Sequence, residues 1–359
     1  MSSAFSPSAF VRFSTKERTF FAKRMSFLVK AGIPLVESLH LIRMQTKSRT
    51  KKGVYDAVIA DVSNGQYLST SMGKFKRLFG DFSIGLIRVG EESGILSQNL
   101  EYLAEELQKK QALERKVIGT LIYPVFIIVA TLGVSTVLTA YIFPKLMPIF
   151  TSLHMTLPLT TRVLIAVSAY LRDWGVATFF ALIACAGALV FIRYRFERVR
   201  LWGDRMLLRV PLAGSVARAY NLTNFCRTLG LLLRSGVPLF DAMEITGETT
   251  KNRVYRKACA SIASRIMRGE SVSRGMSERP DLFPDTLTHL VAVGEKTGNL
   301  SSTLTYLGEL YEEEVGELTK GLSNSIEPAL MVVMGLLVGL IAVSVITPIY
   351  EITQHLGPR

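Results

Sequence analysis

The four histidines, His40, His154, His289 and His355, stand far apart, and the three cysteines, Cys185, Cys226 and Cys259, have no C-x-x-C spacing. No subset of them has a spacing that brings ligands to one zinc ion. Gly294-Glu295-Lys296-Thr297-Gly298 holds a Lys-Thr pair but lacks the glycine-rich approach that cradles phosphates. No G-x-S-x-G elbow or H-E-x-x-H pair occurs. The sequence therefore implies no cofactor, metal or catalytic residue, and the expectation is a protein that is not an enzyme. The residues left to do chemistry are charges that bind. Glu309, Glu312, Glu313, Glu314 and Glu317 cover one side of a helix, as a solvated face or a docking surface for a basic partner. Lys47, Arg49, Lys51 and Lys52 form a basic turn, solvated or set against a partner or lipid headgroups. Glu327 abuts Pro328 at the edge of an apolar run, where an acid is a functional candidate or simply solvated.

The elements that must carry these groups follow from apolar content. Hydrophobic residues make up 49% of 359, too many for a disordered chain. Residues 118–143, 174–192 and 328–350 are uncharged runs long enough to cross a bilayer, which takes about 20 apolar residues. The 42 Lys and Arg against 29 Asp and Glu give a net charge of +13. Lys109, Lys110, Arg115 and Lys116 precede the first run, and Arg193, Arg195, Arg198 and Arg200 follow the second. Basic flanks stay on the cytoplasmic side. The excess charge thus reports membrane orientation, and nucleic acid is not an expected partner. The expectation is a cytoplasmic domain 1–117, a span, a periplasmic loop 144–173, a span, a cytoplasmic domain 193–327, a span, and a periplasmic tail 351–359. The first 30 residues mix charge with apolar groups and do not read as a signal peptide.

The chain repeats itself. Ala31-Gly32-Ile33-Pro34-Leu35 matches Ser235-Gly236-Val237-Pro238-Leu239, and Val89-Gly90-Glu91-Glu92-Ser93-Gly94 matches Val293-Gly294-Glu295-Lys296-Thr297-Gly298, both at an offset of 204. The same offset pairs Gly65 with Gly269, Asp81 with Asp285, Pro124 with Pro328, and Pro144 with Pro348. One ancestral unit is used twice.

Each copy reads as all-helical, a bundle of about six short helices. Residues 16–30 and 221–234 show helical periodicity, with Phe20, Phe27 and Leu28 taken as apolar face. Gly32 and Gly236 end those helices, and Pro34 and Pro238 fit the first turn of the next. Asp81 and Asp285 read as N-caps. After Gly94, Leu100, Leu103 and Leu107 share one face, with Glu105–Lys109 and Glu106–Lys110 on the outer face. Residues 98–143 form one near-continuous helix of roughly 65–70 Å, kinked at Pro124 as its repeat is at Pro328. Such a helix would carry motion from bundle to bilayer. Gly335 and Gly339 form a G-x-x-x-G that permits close helix approach, within the chain or in a dimer. Glu91 and Glu295 either bond N–H groups at the start of the following helix or meet a partner.

Two copies carrying G-[IV]-P-L and V-G-E-x-[ST]-G, three spans, Leu157-Pro158-Leu159-Thr160-Thr161-Arg162 outside, and Ile326-Glu327-Pro328 opening a span that closes in Thr347-Pro348-Ile349-Tyr350 resemble the type II secretion F family. The resemblance implies an oligomeric, multi-pass platform in the bacterial inner membrane, serving type IV pilus biogenesis or type II protein secretion. It implies a hexameric cytoplasmic assembly ATPase as partner, with pilin or pseudopilin subunits and other inner-membrane assembly proteins. Its motif residues fall on Gly32, Pro34, Gly90, Glu91 and Gly94, and on Gly236, Pro238, Gly294, Glu295 and Gly298. The segment before the first copy is shorter than the leader of many members, which points to a pilus-type or compact variant. A small-solute transporter or channel component is the competing reading. It would call for inverted repeats, whereas both copies here enter the membrane in one direction.

Overall fold

Ser14 opens the first helix with a capping box: its hydroxyl accepts from the Glu17 amide, and the Glu17 carboxylate accepts from the Ser14 amide. The structure, a computed structural model, describes residues 13–142, 145 and 159–355. Pro144, His154, most of the Leu157–Arg162 motif's approach and the last four residues of the tail lie outside them.

The first copy comprises α1 (Thr15–Lys30), α2 (Leu35–Gln45), α3 (Arg49–Ser63), α4 (Leu68–Gly73), α5 (Lys76–Phe79), α6 (Asp81–Glu92) and the start of α7 (Leu96–Val137). A π-helical turn, Leu138–Ile142, follows α7, and then α8 (Leu159–Arg195) and α9 (Glu197–Arg209). The second copy comprises α10 (Ala213–Arg234), α11 (Leu239–Thr249), α12 (Arg253–Ile266), α13 (Val272–Ser277), α14 (Asp285–Lys296) and the start of α15 (Leu300–His355). The starts of α2, α3, α4, α6 and α7 recur in α11–α15 at the 204-residue offset. No strand occurs among the described residues. The fold is all-α, with two repeated bundles and three helices apolar and long enough to cross a membrane.

Met1–Lys116 and Gly203–Leu318 form one unit that holds both copies. In the first copy Phe13, Phe21, Tyr55 and Phe79 interlock at ring separations of 5.3–6.1 Å. In the second, Phe225 and Phe283 keep the places of Phe21 and Phe79, and Tyr255 packs edge-on against Phe283. Tyr255 donates its buried hydroxyl to the Leu282 carbonyl at 3.0 Å, so the polar tip is satisfied. Leu100, Leu103 and Leu107 line the core. On α1 the inward residues are Phe21, Ala22 and Met25, whereas Phe20 and Phe27 are exposed. The inward face is therefore rotated from the expected one. Two apolar stripes share this helix, and periodicity does not say which turns inward.

Gly32 and Gly236, at φ 79° and 87°, form Schellman ends: Ile33 and Val237 amides reach back to Leu28 and Leu232 carbonyls at 3.0 Å. Pro34 and Pro238 sit one residue earlier than expected, as N-caps whose carbonyls accept from Ser38 and Ala242. Asp81 and Asp285 are the first helical residues rather than caps; the caps are Gly80 and Pro284. A carboxylate in the first turn still meets the positive helix end.

Val117–Trp202 and Thr319–Arg359 form the second unit. Most of its described apolar side chains are exposed, Phe126, Phe180 and Leu336 among them. That is the pattern of a surface whose solvent is hydrocarbon. Helix α8 begins at Leu159, so residues 159–173 of the expected loop are helical. Ser168 donates to the Thr139 carbonyl at 2.7 Å, inside the π-helical turn, where the widened ladder leaves carbonyls short of donors. Thr161 donates to the Ser344 carbonyl at 2.9 Å.

Candidate functional site

The motif acids occupy the same position in both copies. Glu91 accepts from the Leu68 amide at 2.5 Å and the Ser69 amide at 2.9 Å. Glu295 accepts from the Val272 and Ser273 amides at 2.5 and 2.9 Å, and from the Ser273 hydroxyl at 2.5 Å. These amides open α4 and α13, where N–H groups lack intrahelical partners. Each carboxylate is thus a cap supplied from the next long-range neighbour, and it serves the short helix before it, not the helix after it. Tyr67 gives α4 no side-chain cap, so Glu91 supplies what the local sequence lacks.

Gly90 and Gly294 let the following long helix approach. A Cβ on Gly90 would lie 2.9 Å from Leu96 Cα, and one on Gly294 2.7 Å from Thr303 Oγ1. Gly94 and Gly298, at φ 74° and 72°, turn the chain between them. Gly-Glu-x-x-Gly is therefore one device: close approach, cap and turn at the root of α7 and α15.

The two copies meet inside the first unit. Helix α6 packs on α11 and α10, and Gly85 leaves no room for a Cβ beside Ile245. Lys76 bridges Asp81 of its own copy and Glu248 of the other, at 2.7 and 3.1 Å. Glu114 takes Lys251 at 2.7 Å and the Tyr220 hydroxyl at 3.3 Å. The most enclosed group is Arg227, 7% exposed, which pairs with Glu106 at 3.3 Å and Glu312 at 2.9 Å. Gly308 makes the room: a Cβ there would strike the Arg227 side chain. Burial pushes the Glu106 carboxyl above its ordinary range, with Arg227 pulling the other way. Burial likewise lowers the nearby Lys110 ammonium. Glu106 is therefore no outer-face residue, and Glu312 leaves the exposed acidic cluster to Glu309, Glu313, Glu314 and Glu317. Arg227 escaped the sequence reading because its partners lie far away in the chain. The one available signal was an arginine inside an otherwise apolar stripe.

Pro124 lies inside uninterrupted α7, and Pro328 inside α15 with exposed Glu327 beside it. Gly335 and Gly339 are exposed, and among the described residues nothing lies within 4 Å of an added Cβ. No helix of the chain packs into them among the described residues. The structure does not gather the junction residues and the motif residues into one site. It places the motif at the roots of two helices whose far ends are the apolar segments. Among the described residues no group of three or more His, Cys, Asp or Glu could hold a metal ion.

A family model described as "Type II secretion system (T2SS), protein F" matches residues 21–144 and 225–348, one match per copy at the same 204-residue spacing. The chain is 34% identical over 346 residues to the type IV pilus assembly protein PilC of Thermus thermophilus, covering 95% of this chain and 84% of that one. It is 32% identical to the type II secretion system protein F of Pseudomonas aeruginosa, with 96% and 84% covered. A type IV pilus assembly protein PilC of the same organism is 28% identical, with 94% and 90% covered.

Proposed function

This chain belongs to the type II secretion F family, and on that footing we propose that it is an inner-membrane platform of a type IV pilus or type II secretion machine. Both bundles and the N-terminus face the cytoplasm, and the C-terminus faces the periplasm. A cytoplasmic assembly ATPase docks on the bundles. Its strokes are passed along α7 and α15 to the apolar segments, where pilin-like subunits leave the bilayer and join the growing filament.

The observation that carries this reading is covalent continuity. Each bundle's last helix, 42 residues long in α7 and 56 in α15, continues into a segment apolar and long enough to cross a membrane. At about 1.5 Å per residue these are rods of roughly 63 and 84 Å. A helix rooted in a packed core by the Gly-Glu-x-x-Gly device moves with that core. The names of the relatives, pilus assembly and type II secretion proteins, support the same role.

The test uses the full chain in lipid nanodiscs with a purified pilus or secretion assembly ATPase of the same organism. Saturable binding that is lost when the bundle surface is altered is expected. No binding, together with solute flux in liposomes, would overturn the platform in favour of a transporter.

A further inference from the structure

The contacts that join the two copies are not mutual. Helix α6 of the first copy packs on α11 of the second, but α2 and α14, their counterparts at the 204-residue offset, do not pack together in that way. Glu106 meets Arg227, while their counterparts Leu310 and Lys23 are both exposed. The interface is therefore heterologous: a donor face on one copy covers a different, acceptor face on the other. Each copy has both faces. One donor and one acceptor are used inside the chain, which leaves the acceptor of the first copy and the donor of the second.

The spare acceptor is a stripe on α1: Lys16, Phe20, Lys23, Phe27 and Lys30, at helical i, i+3 and i+4 spacing. Phe20 is 50% exposed and Phe27 71%. The equivalent stripe of the second copy, Tyr220, Asn224, Arg227, Leu231 and Arg234, is the one that the first copy covers. The spare donor lies on α15: Tyr306, 60% exposed, Leu310, 41%, and the exposed Glu313, Glu314 and Glu317. Its equivalents on α7 include Tyr102 and Glu106, which serve the covered contact; Arg234 of the second copy lies over the Tyr102 ring at 4.7 Å. Lysine alternates with phenylalanine on one face, and glutamate stands beside tyrosine and leucine on the other. The two leftover faces match in charge and in apolar content.

We propose that a second copy of this chain occupies the stripe: the α15 face of one chain docks on the α1 face of the next. The contact between chains then repeats the contact between copies within a chain. Phe27 takes the place of Leu231 against Tyr306, and Lys16 and Lys23 meet the glutamates. On the three-span reading, two spans separate the copies, so both enter the bilayer from one side. The operation relating them can be repeated without inverting a chain, and a heterologous contact in a plane closes into a ring where its rotation permits.

The experiment is site-specific disulfide trapping of the full chain in its native membrane. The background carries Cys185→Ser, because Cys185 is exposed whereas Cys226 and Cys259 are buried. Differently tagged Phe27→Cys and Tyr306→Cys chains are co-expressed and oxidised. A dimer carrying both tags is expected, lost in Lys16→Glu/Lys23→Glu chains and restored by Glu313→Lys/Glu317→Lys. A Phe27→Cys dimer with itself would overturn the proposal, since a two-fold contact gives that product. Cross-linking of Phe27→Cys to a different protein in place of the Tyr306→Cys chain would overturn it too. Absence of any intermolecular product, with both variants inserted and Cys226 still protected from thiol reagents, would do the same.

Discussion

Replacing Arg227 by methionine keeps most of the stem's volume and deletes the charge. Glu106 and Glu312 are then left facing each other without their shared cation. Breaking an enclosed pair by removing one partner costs about 3–5 kcal/mol, because the remaining charge stays desolvated. Glu312 is only partly enclosed, so the lower end, about 3 kcal/mol, applies. The reporter is next door: Cys226 is fully buried on the same helix, and Cys259 lies in the same core with its thiol pushed up to about 12 by burial. In full-length chains carrying Cys185→Ser, a thiol reagent reads the population in which the second copy is open. About 3 kcal/mol raises that population, and the labelling rate, roughly 150-fold at neutral pH. The pH dependence has a definite sign. Glu106 already titrates above its ordinary value in the fold, so its ionisation opposes folding. The penalty is absent below the ordinary carboxylate range and sets in as pH rises through the raised value. Losing Arg227 removes the opposing pull, so the variant's defect should shrink as pH falls. Adding Glu106→Gln and Glu312→Gln should recover most of the loss. A labelling rate within threefold of the parent, or a defect unchanged by pH, would refute the pairing as the source of stability.

Glu295→Ala should destabilise the second copy by about 1.5–3 kcal/mol, the worth of hydrogen bonds to a charged group, read as faster Cys259 labelling. Glu295→Gln should lose less, since one amide oxygen still accepts. Gly298→Ala should cost about 1–2 kcal/mol, because φ of 72° places the new Cβ against the backbone, and the same labelling measures it. Pro124→Ala and Pro328→Ala should leave membrane insertion intact and reduce filament or secretion output, scored by fractionation and by assembly in the same cells. Gly335→Leu/Gly339→Leu should leave Cys226 protection unchanged, because among the described residues nothing lies within 4 Å of a Cβ at either position.

The duplication was legible because glycine and proline are tied to backbone geometry: Gly32, Gly94, Gly236 and Gly298 all sit at positive φ in both copies. The three long apolar helices were legible because each carries an uncharged run longer than a soluble core helix needs. The inward face of α1 was not, since Phe20, Phe21, Phe27 and Leu28 offer a helix two apolar sides and only tertiary packing picks one. For Glu91 the sequence left open the amides of the following helix or a partner; the amides it meets are those of the helix before it, set by how α4 folds back beside α6. Glu106 read as half of a local i,i+4 pair with Lys110; its true partner, Arg227, comes from the other copy. Local pattern thus gave the short helices to within about a residue at most ends but not the start of α8 at Leu159, while every long-range charge partner had to come from the fold.

The central claim, that this chain is a platform on which a filament is built, is tested most directly by deleting its gene and counting assembled surface filaments and exported substrate. Loss of one or both on deletion, restored by the parent chain, is the predicted result. Normal levels of both in the deletion strain would contradict it.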